Sequence, residues 1–121
     1  MIQKTRLMLY VNDVDTICTF WQDTFGAKTV EKNSLPDNFE NIVLEITPDF
    51  ELSLFQKEFI QKYSPEVLGN IPSVMFFVED FEEVHARIDT ASNIVDDNGL
   101  PAFGFFDPEG TAFAVGKLDN K

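Results

Sequence analysis

The chain has 121 residues, 44% of them hydrophobic and 13 of them phenylalanine, with a formal charge of −12 and a pI of about 4.2. That size and apolar content fit one globular domain with its own core and exclude a disordered chain. The acidity argues against nucleic acid, whose phosphates require basic surfaces, and no apolar run approaches the roughly 20 residues that span a bilayer.

From the N-terminus, RLMLYV (6–11) reads as a strand by its apolar enrichment. Asp13 follows as a helix N-cap, and Val14, Ile17, Cys18, Trp21 and Phe25 recur at helical spacing to form one apolar stripe. Gly26 ends the helix, because glycine accepts the left-handed conformation of a helix terminus. AKTVEKN (27–33), ENIVLEI (40–46) and FELSLFQ (50–56) read as three strands, the first an exposed edge and the last two joined by a turn at Pro48-Asp49. EFIQKYSPEVLGNIP (58–72) is a connector whose first part is helical and which Pro65 and Gly69 keep from forming one long helix. SVMFFV (73–78) is a strand. Asp80 and Glu83 then form a capping box for a helix that buries Phe81, Val84 and Ile88. A turn-rich stretch (91–101) holds a short strand near Ile94, and AFGFF (102–106) is another. DPEG (107–110) is a reverse turn with proline second, and TAFAVGKL (111–118) closes the series.

LYVNDVDTICTFW (9–21) and FFVEDFEEVHARI (76–88) superimpose at an offset of 67 residues, with Val11 on Val78, Asp13 on Asp80, Ile17 on Val84 and Trp21 on Ile88. Each copy begins the same order of strand, helix and three strands. The expected fold is therefore α+β, a single domain of two βαβββ modules over 1–57 and 73–121 joined by 58–72. The modules are expected to form a curved, cup-shaped mixed sheet with helices on the outer face. The N-terminal segment MIQKTRLMLYV is interrupted by polar residues and lacks a small-residue cleavage site, and the single Cys18 cannot form an internal disulfide, so the chain reads as cytoplasmic.

The motif V-N-D-V…F-W…F-G (11–26), the matching V-E-D-F (78–81) and FFDPEGTAFAV (105–115) resemble the vicinal oxygen chelate superfamily, the glyoxalase, bleomycin-resistance and extradiol dioxygenase group. In metal-dependent members of that group, His, Gln and Glu ligands come from the first and fourth strands of each module. Carried onto this chain residue by residue, those positions are Arg6, Ser53, Ser73 and Ala114, with Glu51 the nearest carboxylate to Ser53. Arginine has no lone pair to offer, alanine no donor atom, and serine is a poor ligand for zinc, nickel or iron. The only histidine, His85, falls on the second helix at the place Cys18 holds on the first. The resemblance thus implies the fold without the metal chemistry, and no cofactor is expected.

Strand alternation assigns the lining of the cup to Arg6, Met8, Tyr10, Glu51, Ser53 and Phe55 in the first module and to Ser73, Met75, Phe77 and Ala114 in the second. This is an apolar, methionine- and aromatic-rich wall with a few polar groups, as ligand pockets have. The same side chains could instead pack together and fill the space. Arg6, taken as buried, needs either an internal carboxylate, Glu51 or Glu45, or an anionic ligand. The leading reading is a non-catalytic binder of a small molecule, with the net charge favouring a cation. It is similar to the bleomycin-resistance branch, which is acidic, dimeric and metal-free, so a homodimer is implied. A glyoxalase-type lyase, isomerase or dioxygenase with an atypical site, and a regulatory or protein-interaction module, are the alternatives.

Overall fold

Alternating side chains from Thr5 to Val11 (TRLMLYV) put Leu9 and Val11 on one face of the first strand, β1, where both are buried. A computed structural model describes residues 1–69, 74–97 and 99–118 and divides the chain into two compact units, Met1–Ile71 and Pro72–Lys121. In the first unit, β1 leads into α1 (Val14–Phe25), followed by β2 (Lys28–Ser34), a 3₁₀ turn (Pro36–Asn38), β3 (Glu40–Thr47), β4 (Phe50–Gln56), α2 (Lys57–Tyr63) and a second 3₁₀ turn (Pro65–Val67). The sheet order is β1-β4-β3-β2, with β1 and β4 parallel and the other pairs antiparallel.

The α1 ends behave as the sequence predicts. The Asp13 carboxylate accepts from the Thr16 backbone N–H at 3.2 Å and from the Thr16 hydroxyl at 2.8 Å, satisfying a donor left open in the first turn. Gly26 sits at φ 70°, and its N–H reaches the Gln22 carbonyl at 3.0 Å. Val14, Ile17, Cys18 and Trp21 are buried on the helix stripe. Leu9, Val11, Ile42, Leu44, Leu52 and Leu54 supply the buried sheet face. Each fully buried side chain of this kind contributes roughly 1.5–3 kcal/mol relative to an exposed one. Trp21 stacks on Phe25 at 5.2 Å and meets Phe20 edge-on. β2 is exposed along its whole length and lies at the sheet edge, as its charges predict.

The second unit repeats the plan with β5 (Met75–Val78), α3 (Phe81–Arg87), β6 (Val95–Asp97), β7 (Leu100–Phe106) and β8 (Ala112–Lys117). Its order, β5-β8-β7-β6, again sets first and last strands parallel. The buried layer is Phe81, Val84, Ile88, Phe103, Phe105, Phe113 and Val115. The expected turn forms at 107–110: Gly110 N–H donates to the Asp107 carbonyl at 3.0 Å, and the Asp107 carboxylate accepts from the N–H groups of Glu109 and Thr111.

Three expectations need correction or extension. Asp80 stands at the N-cap of α3, but its side chain makes no capping bond; at φ −85°, ψ 50° it accepts from Arg87 at 3.1 Å instead, so the capping box is not built. The 3₁₀ turn at 36–38 has no counterpart in the sequence reading. The helical part of the connector begins at Lys57, directly after β4. No helix among the described residues is long and apolar enough to cross a membrane.

Gly26 has nothing within 4 Å of the place a Cβ would occupy, so only its positive φ resists substitution. Gly26→Ala should therefore destabilise the chain by about 1 kcal/mol and Gly26→Asn by less, read from urea unfolding midpoints.

Candidate functional site

Helix α1 covers one face of the first sheet, so the other face is left to carry chemistry. Register places Arg6 beside Glu51, Met8 beside Ser53 and Tyr10 beside Phe55 across the β1–β4 pair. Val43 pairs with Ser53 and Asn33 with Asn41 across the neighbouring strands. Side chains at these positions share the face turned away from α1.

This face is polar at one end and aromatic at the other. At the polar end, Glu51 is only 3% exposed, and a buried carboxylate needs compensating charge. Lys4 supplies it at 2.7 Å, and Arg6 approaches at 2.8 Å, donating through Nε at 2.9 Å. Arg6 also donates to Glu31 at 3.1 Å. Asn33 donates to Glu31 at 3.2 Å and to the Asn41 oxygen at 2.9 Å. Buried Asn41 then donates to the Ser53 hydroxyl at 2.9 Å and to the Leu54 carbonyl at 3.0 Å. One chain of bonds thus runs from Lys4 to Ser53.

Arg6 therefore has internal partners: Glu51, one of the two carboxylates the sequence offered, and Glu31, which the sequence reading did not name. Its side chain is 39% exposed, so it is not the buried guanidinium of the sequence reading. Glu31 and Asn33 were missed because β2 changes register between Thr29 and Glu31, which resets the face its later residues occupy. The legible signal was Asn41, an amide inside an otherwise apolar strand.

At the aromatic end, Tyr10 lies 6.3 Å from Phe55, and Phe55 stacks at 6.3 Å on Phe59 of α2. Met8, between the two ends, is 47% exposed.

The second unit offers a contrasting face. Met75 pairs with Ala114 and Phe77 with Gly116, while Gly104 and Ala102 extend the surface across β7. These residues are small or apolar and carry no charge. A Cβ at Gly116 would lie 2.7 Å from Met75 Cε and 2.8 Å from the Phe77 ring, so these two side chains would have to shift to admit one. The Phe77 ring, 53% exposed, lies over this glycine. Ser73 lies outside the described residues. Because Met8 faces Ser53 and Met75 faces Ala114, Ser53 and Ala114 hold equivalent places in the two sheets.

The other reactive side chains are committed elsewhere. His85 shares a hydrogen bond with the Ser92 carbonyl at 2.8 Å and meets Phe103 edge-on at 4.8 Å. Cys18 is buried, with its sulfur 3.8 Å from the Thr29 hydroxyl. Among the described residues, no group of three or more His, Cys, Asp or Glu side chains could hold a metal ion. A separate open cavity of about 330 Å³ lies at the start of α1, lined by Asn12, Asp13, Asp15, Asn38, Glu40 and Gln56, and contains none of the expected site residues.

The hydrogen bond from Lys4, reinforced by Arg6, lowers the Glu51 carboxyl from its usual 4.5 against the opposing effect of burial. The stability it contributes is complete above that usual value and is lost as pH falls through the lowered one. Glu51→Gln should cost about 1–3 kcal/mol at pH 7, and its difference from the unsubstituted chain should shrink as pH falls below 4.5, measured by urea unfolding across pH.

Comparison with known proteins agrees with this architecture. No curated protein matches the chain. Among solved structures, a glyoxalase family protein from Enterococcus faecalis is 22% identical with TM-score 0.70, covering 96% of each chain. A lactoylglutathione lyase from Agrobacterium tumefaciens is 21% identical with TM-score 0.68, over 93% of this chain and 91% of that one. An antibiotic-binding protein from Streptomyces sp. CB03234 is 13% identical with TM-score 0.74, over 98% and 96%. These likenesses establish a shared fold. The family model for the Glyoxalase/Bleomycin resistance protein/Dioxygenase superfamily matches residues 5–115, nearly the whole chain, and the chain belongs to that superfamily.

Proposed function

We propose that this chain binds a small organic molecule without the superfamily's metal, in the manner of the bleomycin-resistance-like branch. One observation carries the reading. The positions corresponding to the family's ligands hold Arg6, Ser53 and Ala114, and the carboxylate nearest Ser53, that of Glu51, is held between Lys4 and Arg6. These residues do not fit a divalent ion: a guanidinium repels it, a methyl group offers nothing, and Ser53 already accepts from Asn41. Serine at the fourth position, Ser73, would not remedy the set.

What the faces offer instead is stacking and apolar area. Tyr10, Phe55 and Met8 supply it in the first unit, and Met75, Phe77 and Ala114 in the second. The partial exposure of Met8 and Phe77 favours an available surface over a filled core. Arg6, answered by Glu51 and Glu31, is not waiting for an anion. With a charge of −12, the chain attracts cations over long range, so a cationic or neutral ligand with a flat apolar part is the class this reading selects. The reading includes a cytoplasmic homodimer with neither nucleic-acid nor membrane partners, and a buried, unpaired Cys18 suits a reducing compartment.

The test is thermal stability of the metal-stripped protein, first against nickel, zinc, manganese and iron, then against organic ligands that include cationic drugs. A ligand at 100 times its Kd should add about 2.7 kcal/mol. The expected result is no response to the metals and a shift with one chemical class. Phe77→Ala should then weaken that ligand about tenfold while changing stability little, because the ring is half exposed. A large shift with a metal would overturn the reading. Indifference to every small molecule, with a co-purifying protein, would favour the interaction-module alternative.

A further inference from the structure

Helix α2 has little of its own to keep it in place. It is seven residues long, its N-cap Gln56 makes no side-chain capping bond, and Ile60 is its one buried side chain. A helix this short is unstable in isolation, so its position depends on what it touches. Phe59 stacks on Phe55 at the aromatic end of the first sheet's face and meets Phe39 edge-on at 5.7 Å. One turn later, Lys62 and Tyr63 both reach the Asp37 carboxylate, Tyr63 donating its hydroxyl proton at 2.7 Å. The Lys62 ammonium also lies 5.6 Å from the Tyr63 ring centre.

Asp37 is held in an unusual conformation. It and Asn38 are consecutive non-glycine residues at φ 61° and φ 64°. Left-handed backbone of this kind persists where the surroundings impose it, and it collects at switches and clamps. We propose that α2 is a hinged end wall for the aromatic end of the first sheet's face, latched by Asp37 through Lys62 and Tyr63, and that it opens as a unit without the sheet. Chain continuity with β4 fixes one end of the wall, and the latch fixes the other. The carboxyl of Asp37 is lowered by Lys62 and then Tyr63, and the Tyr63 hydroxyl is raised by Asp37, as a latch closed at neutral pH requires. When the latch opens, Phe59 leaves the Phe55 ring uncovered. That consequence rests on the binding reading above; the latch itself does not.

Amide hydrogen exchange on the intact chain tests it without a ligand. Asp37→Asn keeps the side-chain volume and the tolerance for left-handed backbone, and should speed exchange across 57–64 about five- to tenfold. Exchange in β1 and β4 should stay unchanged. Tyr63→Phe removes one of the two bonds and should give a smaller acceleration, about two- to threefold. Unchanged exchange in α2 in both variants, or acceleration that includes β1 and β4 equally, would overturn the latch. If the latch behaves as stated and no organic molecule stabilises the protein, the binding reading falls and the latch stands.

Discussion

The parallel pairing of the first and fourth strands of each unit is the constraint from which the rest follows. A parallel pair cannot be closed by a tight turn, so the chain must cross over between them, and here the crossover includes a helix packed on one face. That face is then occupied by apolar side chains: Leu9, Leu52 and Leu54 in the first unit, Phe113 and Val115 in the second. All remaining chemistry goes to the opposite face. The same pairing fixes its layout, because Arg6 cannot help lying beside Glu51, nor Met75 beside Ala114.

The two faces have taken opposite courses within one geometry. The first answers a buried carboxylate with two cations and carries the polarity on through amides to a buried hydroxyl. Such a network is costly if any member is left unpaired, so its members hold one another in single orientations. It leaves Arg6, Glu51, Asn41 and Ser53 engaged with one another. The second face has no charge to satisfy. Its alanines and glycines keep the backbone level, and Met75 and Phe77 lie over the space Gly116 leaves. One unit carries a polar frame with an aromatic end, and the other an apolar surface of small residues.

The sequence disclosed what depends on local pattern. The 67-residue repeat, the stripe Val14–Ile17–Cys18–Trp21 and the signals at Asp13 and Gly26 each follow from residues close together in the chain. The alternation that put Arg6, Met8 and Tyr10 on one face also held, because β1 has no bulge. What escaped depends on distant partners. Asp80 is a good capping residue, yet its backbone departs from extended geometry and Arg87 takes its carboxylate. The contacts of Glu31 follow from a register shift that no composition reveals. Asp37 and Lys62 are 25 residues apart and meet only because the turn after β2 and the helix after β4 arrive at the same place. Whether Arg6 was buried turned on its neighbours, which a single strand does not specify.

The edge strand β6 has a consequence for how the protein behaves in concentrated solution. Its three residues, Val95, Asp96 and Asp97, are all exposed, so its backbone is open to pairing with another chain, and Val95 gives such a pair an apolar reward. At neutral pH a second copy brought alongside would set carboxylates against carboxylates, and the contact is repelled. Near the pI of about 4.2 the net charge of the chain approaches zero and the repulsion between copies fades with it, while the open backbone remains. The acidity of the chain is thus also the guard on an unfinished sheet, and mild acid weakens that guard while leaving the edge open.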